Sequence, residues 1–318
     1  MSRMLKLIQN EQAKIYIRKS SWVMYIILAA ILIGFVFIQK NFADLNTEYQ
    51  NDDWRQVLED ENKKLEKEMK KDEFAAEMNP STIAKNNYYL ENDIQPEPYD
   101  AWQFTKDAVL TVSSLAGLFT IVIAAGIVAN EFNWGTIKLL LIRPISRSSI
   151  LLSKYIAILL FALYTLIFGL IFSWILGAIF FGVNGLNPSI VAETANGFKE
   201  LAVVPQIFIN YGYQLVGLVV MATFAFTISA VFRNGSLAIG VAIFLMMGSS
   251  TIVSFFLDKE WAKYILFVHT DLSQYAEGNE PIIEGMTLGF SITVLIVYYV
   301  IFMLLSWIVF TKRDVAGQ

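Results

Sequence analysis

The residues able to do chemistry are few, and their types exclude more than they allow. The 318-residue chain has no cysteine and a single histidine, His269. Without thiols there are no disulfides or thiolate metal sites, and one imidazole outside any HExxH spacing builds no zinc centre. No GxSxG nucleophile turn and no carboxylate pair within an apolar run is present. No lysine follows a glycine and no two glycines adjoin. That removes the backbone cradle and phosphate-reaching lysine of a P-loop. The acidic clusters do not follow the calcium-loop spacing. A solvated loop position is expected for His269 in preference to a proton-sensing one. The chain is therefore expected to bind no cofactor or metal and not to be an enzyme by itself.

One stretch orders its residue types in a way that suits docking. It reads Asn130-Glu131-Phe132-Asn133-Trp134-Gly135-Thr136-Ile137-Lys138-Leu139-Leu140-Leu141-Ile142-Arg143-Pro144-Ile145-Ser146-Arg147 and continues through Ser148 to Lys154. Ile137, Leu140 and Leu141 recur at helical spacing, which predicts a short helix with one apolar face. Glu131, Trp134, Gly135 and Thr136 are expected at its start. Pro144 stops it, and Ser146 can cap the next helix. Arg143, Arg147 and Lys154 are expected to hold the short helix against a partner or lipid headgroups.

The elements that must position this loop are apolar runs. Of all residues 56% are hydrophobic and 16% charged, against about 25% charged in soluble domains. Crossing a bilayer core takes about 20 apolar residues. Six runs qualify: Trp22–Ile38, Ala108–Ala129, Tyr155–Phe181, Tyr213–Val231, Leu237–Leu257 and Thr287–Phe310, none with a Lys, Arg, Asp, Glu or His. Trp22, Tyr25, Trp174, Tyr213, Trp307 and Phe310 lie near run ends, where interfacial anchors belong. The expected fold is an all-α polytopic membrane protein with six transmembrane helices.

Charge orients it. The N-terminal stretch, the loop above, Arg233 and the C-terminal tail hold 12 basic residues, with Glu11, Glu131 and Asp314 as their only acids. The remaining segments hold 12 basic and 25 acidic residues, so one side is +9 and the other −13. The positive-inside rule places the first side, with both termini, in the cytoplasm. The first run is followed by Gln39-Lys40-Asn41-Phe42, not by small residues, so an uncleaved anchor is expected.

The flanking segments follow. Residues 1–21 place Arg3, Lys6, Asn10, Lys14 and Arg18 on one helical face, opposite Leu5, Ile8, Ile15 and Tyr16. Such a basic amphipathic helix lies along an anionic leaflet. After the span at 22–38, residues 39–107 form an extracellular loop with 9 basic and 17 acidic residues. In it Trp54, Leu58, Leu65 and Met69 stripe a charged helix that Asn79-Pro80-Ser81 is expected to end. Gln95-Pro96-Glu97-Pro98 then leads back to the membrane. Residues 108–318 hold the other five spans, with the loop at 130–154 and an external segment at 258–286. In that segment Trp261, Tyr264, Leu266 and Phe267 suggest an interfacial helix.

An acid, Gly-Thr, an apolar run, Arg-Pro-x-Ser-Arg and a Leu-Leu-x-Lys entry resemble the coupling-helix loop of type-2 ABC exporter permeases. Phe310-Thr311-Lys312-Arg313-Asp314-Val315 is similar to that family's exit from the last span. The resemblance covers the whole chain, although only some members have the long outer loop. It implies a permease subunit in a bacterial plasma membrane that pairs with a second permease, the same or homologous, and with two cytoplasmic ATPase subunits carrying ATP and Mg. Glu131, Trp134, Gly135, Thr136, Ile137, Leu140 and Leu141 would then meet the ATPase, supported by Arg143, Pro144, Arg147 and Lys154. The implied cargo is amphipathic, peptide-like or lipid-like, and no nucleic acid is expected. A non-transporting sensor or immunity subunit, or a secondary transporter, is the alternative.

Overall fold

A computed structural model describes residues 3–46, 49, 51–137, 144–186, 188–194, 197–276 and 281–312. In chain order the helices are α1 (Arg3–Ile17), α2 (Lys19–Asn46), α3 (Trp54–Met69), α4 (Glu73–Glu91), α5 (Ala101–Asn133) and α6 (Arg147–Phe180). After strands β1 (Ser189–Thr194) and β2 (Gly197–Ala202) come α7 (Val203–Phe232), α8 (Gly235–Ser254) and α9 (Leu288–Lys312). Between α8 and α9 lie three short 3-10 helices, Glu260–Tyr264, Leu266–Val268 and Leu272–Tyr275.

Five of these helices are long and apolar enough to cross a membrane: α2 over Lys19–Lys40, α5, α6, α7 and α9. The chain is membrane-integral and multi-pass. All five match runs read from the sequence, and α8 occupies the fifth run with the shorter apolar stretch Gly235–Gly248. Helix α5 is the central member and packs against α6, α7, α8 and α2. Phe104, Val112, Ala116, Phe161 and Phe226 are fully buried around it. Several polar groups inside the bundle pair across helices, as a low-dielectric setting favours. The Ser229 hydroxyl donates to the Ala125 carbonyl at 2.6 Å and accepts from Ala129 N–H. Tyr155 meets Thr223 at 2.8 Å, and Ser306 donates to Thr227 at 2.9 Å. Ala225, Ser229, Ala238 and Ala242, small residues at four-residue spacing, are all buried within this chain.

One end of the bundle gathers α1, the end of α5, the start of α6, the α7–α8 turn and the end of α9. Arg233 there lies over the Phe132 ring at 4.1 Å, and the Arg147 guanidinium donates to the Thr311 carbonyl at 3.2 Å. This is the basic end. The opposite, acidic end carries α3, α4, the hairpin and the 3-10 segment.

Two expectations are corrected at the acidic end. Asn79-Pro80-Ser81 does not end the outer helix. The break comes at Lys70–Asp72, where the Asp72 carboxylate accepts the Phe74 N–H at 3.0 Å and starts α4. Pro80 then lies inside α4. The mostly helical fold fits the all-α expectation and adds one hairpin between α6 and α7. Antiparallel β1 and β2 pair Ser189 with Ala202 and Thr194 with Gly197. Val191 of β1 joins Trp54, Leu58 and Tyr89 in a small core of their own. The outer helices and the hairpin thus form one composite unit.

The second correction concerns His269. It is fully buried, not solvated: Nδ1 is 2.7 Å from the Ser291 hydroxyl, and Nε2 is 2.8 Å from the Lys263 carbonyl. The expected interfacial helix is replaced by 3-10 turns pinned onto the bundle. A Cβ at Gly217 of α7 would lie 2.0 Å from the Thr270 carbonyl oxygen, so only glycine permits this contact. Burial pushes the His269 imidazole below its ordinary value of 6.5, against the raising effect of the Lys263 carbonyl. The opened segment therefore binds a proton more readily than the docked one. Docking keeps its full stability above pH 6.5 and loses it as the pH falls below that value. Protease cleavage near Lys263 is expected to accelerate between pH 7.5 and about 5. His269→Gln should remove most of that dependence, and equal acceleration in both proteins would contradict this role for His269.

Candidate functional site: a buried charge cluster at the basic end

The site begins where α1 meets the bundle. Helix α1 turns its Glu11 and Ile15 inwards, and Gln12 Nε2 donates to the Ala157 carbonyl of α6 at 2.7 Å. An elbow at Arg18 separates it from α2. The Ser21 hydroxyl donates to the Ile15 carbonyl at 2.6 Å, and the Trp22 indole donates to the Tyr16 carbonyl at 2.9 Å. These bonds set the angle at which α1 lies against α6.

Four side chains then close a network. Lys154 Nζ, on the second turn of α6, donates to Glu11 Oε2 and Glu131 Oε1, each at 2.8 Å. Lys14 Nζ donates to Glu11 Oε1 at 2.9 Å and to the same Glu131 Oε1 at 2.8 Å. The Thr136 hydroxyl donates to Glu131 Oε2. The side chains of Lys154, Glu11 and Glu131 are 1%, 5% and 8% exposed, and that of Lys14 is 36% exposed. Two ammonium groups face two carboxylates, so the cluster is neutral and each buried charge has partners. Burial works against the charge on Lys14, but the hydrogen bond to Glu131 and the charge of Glu11 outweigh it and raise its pKa. A buried pair of this kind contributes little beyond an apolar substitute, but removing one partner is costly. Its structural effect is to fix α1, the end of α5 and the start of α6 in one register.

The loop leaves this platform at once. Helix α5 ends at Asn133, Trp134 is its C-cap, and Gly135 takes φ +69°. That left-handed turn is open to glycine at no steric cost. Trp134 stands 62% exposed, with the Arg18 guanidinium 4.9 Å from its ring centroid. Beyond the loop, Ser146 accepts the Ser149 N–H at 3.1 Å and starts α6, as read from the sequence.

The expected site residues therefore divide. Glu131 lies in the last turn of α5 and Trp134 caps it, while Ile137, two residues past Gly135, is helical again. Helix α5 ends at Asn133, just before Gly135 reverses the chain, a boundary the apolar periodicity does not mark. Glu131 points inwards to two lysines. Lys154 is buried between two carboxylates, not held towards headgroups, because two acids from distant elements supply the charge it needs. Ile137 is buried in the bundle's own core. Trp134 and Gly135 face outwards, Thr136 supports Glu131, and Arg147 ties α6 to α9. Leu140, Leu141 and Arg143 lie outside the described residues; Pro144 is exposed beside the start of α6. Glu11 and Lys14 were not expected here. The signal for them was composition: Glu11 and Glu131 are two of only three acids on the basic side.

Comparison with known proteins places the chain in a family. Residues 74–316 match the model described as "Protein of unknown function (DUF2705)", and the chain belongs to that family. It is 44% identical over 325 residues to "Uncharacterized protein YhcI" of Bacillus subtilis (strain 168), covering 99% of this chain and all of that one. It is 35% identical over 207 residues to "Uncharacterized membrane protein YdbK" of the same organism, covering 64% of this chain and 80% of that one.

Proposed function

We propose that this chain is the permease subunit of an ATP-driven exporter of the type-2 ABC class. It has six spans, α2 and α5 to α9, and its basic end faces the cytoplasm of a bacterial cell. Separate ATPase subunits supply the energy, and a second permease, the same or homologous, completes the complex. The observation that carries this reading is the exposed Trp134 standing on a platform of three buried charges and the half-buried Lys14. Force applied to the loop at Trp134 passes through Glu131 into α5, through Lys154 into α6, and through Glu11 and Lys14 into α1. A chain without a P-loop needs such a connection to a partner that has one.

An amphipathic cargo is supported by a cavity of about 250 Å³ between α5, α7, α8 and the 3-10 segment. Ser113, Gln214 and Asp271 line it together with Leu218, Met221 and Phe267. The small residues of α7 and α8 are used within the chain, so they do not supply the second permease's contact. The least buried spans, α9 and α2, are free for it or for lipid. One observation favours a second reading: the unit built from α3, α4 and the hairpin has its own core and suits a sensor at the outer surface.

The reading requires the basic end to be cytoplasmic, and reporter fusions test that. Reporters after Gln318 or within 143–149 are expected inside, and one at Lys70 outside. A loop reporter found outside would remove Trp134 from the reach of any cytoplasmic ATPase, and the reading would fall.

A further inference from the structure

Beside the charge cluster runs an open groove of about 770 Å³. One wall is the face of α1 that carries Arg3 and Lys6, continued by Arg18 at the elbow, and the other holds Trp134, Thr136 and Ile145. Glu131 also borders it, but Lys14 and Lys154 already neutralise that carboxylate. Arg3, Lys6 and Arg18 make no ion pair among the described residues. The groove therefore presents three uncompensated cations, two of them guanidinium groups suited to bidentate phosphate contacts.

Its mouth is apolar. Ile17 is 80% exposed at the Arg18 end, and Trp22 is 59% exposed just beyond. Val23, Ile26 and Ile27 continue that exposed surface along α2, which crosses the membrane largely unburied. A cationic pocket opening onto a span-length apolar face matches an anionic amphiphile. A soluble acidic peptide could meet the cations but could not follow α2.

We infer that the groove is a binding site for the headgroup of an anionic phospholipid. The phosphate lies among Arg3, Lys6 and Arg18, and the acyl chains run past Ile17 and Trp22 along α2. Bound lipid would bridge α1 to Trp134 and so stiffen the elbow on which the loop rests. The inference rests on the reading of α2 as a span with its basic end at the membrane surface. It does not depend on an ATPase, so it can fail while the permease reading stands.

The test uses the full chain, purified from membranes in which phosphatidylglycerol is present and washed in detergent, with retained lipid counted by native mass spectrometry. The parent is expected to keep a phosphatidylglycerol in preference to phosphatidylcholine. Arg3→Gln/Lys6→Gln/Arg18→Gln is expected to lose it roughly a hundredfold, the worth of three surface cations on an anionic headgroup. These side chains make no ion pair within the fold, so helix content should be unchanged. Lys19→Gln/Lys312→Gln removes exposed cations of the same end outside the groove and should keep parental retention. Equal retention by the parent and the triple variant would overturn the site. Equal loss in both variants would reduce it to general surface attraction and overturn it too. Displacement of the lipid by millimolar inorganic phosphate would show a free-anion site and overturn the assignment to lipid.

Discussion

Lys154→Met is expected to destabilise the folded chain by about 3–5 kcal/mol, the cost of breaking a buried ion pair from one side. The side chain is 1% exposed and bonds Glu11 and Glu131 at 2.8 Å each. Its loss leaves two nearly buried carboxylates facing one another with only Lys14 between them. Lys14→Met should cost less, because its position is 36% exposed and water can replace part of what it provides. Pairing Lys154→Met with Glu131→Gln restores neutrality, with Glu11 facing Lys14, and should recover most of the loss. The unfolding midpoint in detergent measures all three. Protease release of α1 gives a second readout, since the cluster is what holds Glu11 to the bundle. A Lys154→Met protein that melts with the parent and keeps α1 docked would show that the four charges do not act as a unit.

The second large effect falls on partner binding. Trp134→Ala is expected to weaken ATPase recruitment about thirtyfold, the usual loss of at least 2 kcal/mol for a truncated aromatic anchor. Lys138→Ala, a charge in the same loop, should change it little, as rim charges do. Trp134 is a large exposed side chain three residues beyond Glu131, with the Arg18 guanidinium over its ring. Truncation therefore costs the fold little and should leave membrane insertion and the unfolding midpoint near the parent's. That separates it from Glu131→Ala, which removes an internal partner of Lys14 and Lys154. Any uncoupling by Glu131→Ala would arise from a loosened platform, not from a lost ATPase contact.

The long helices were legible because a membrane span announces itself in consecutive residues: a run of about 20 apolar positions is the signal, and the runs that became α2, α5, α6, α7 and α9 carry no formal charge. The Ser146 cap was legible for the same local reason, since its partner lies three residues away. The charge cluster was not. Its bonds join residues 117 and 143 positions apart, and no periodicity couples Lys14 to Glu131 or Glu11 to Lys154. The sequence showed the lone acids on a basic side but not which lysines they meet. Pro80 misled because proline usually breaks a helix interior, whereas here the chain had already broken at Asp72 and restarted. His269 misled because a polar residue among loop residues reads as solvated until the fold supplies Ser291 and the Lys263 carbonyl. The hairpin of β1 and β2 had no such misreading. It lies between two spans, and what orders it is a core shared with α3 and α4, more than a hundred residues earlier.

The central claim is that Trp134 and the platform beneath it receive an ATPase. Affinity capture of the tagged chain from its native membrane, with the bound proteins identified by mass spectrometry, tests this most directly. The account predicts a soluble protein bearing a glycine-rich P-loop, recovered in amounts comparable to the chain itself and largely lost from Trp134→Ala. Recovery of the chain in folded form with no P-loop protein, or with one that binds Trp134→Ala as tightly as the parent, would contradict it.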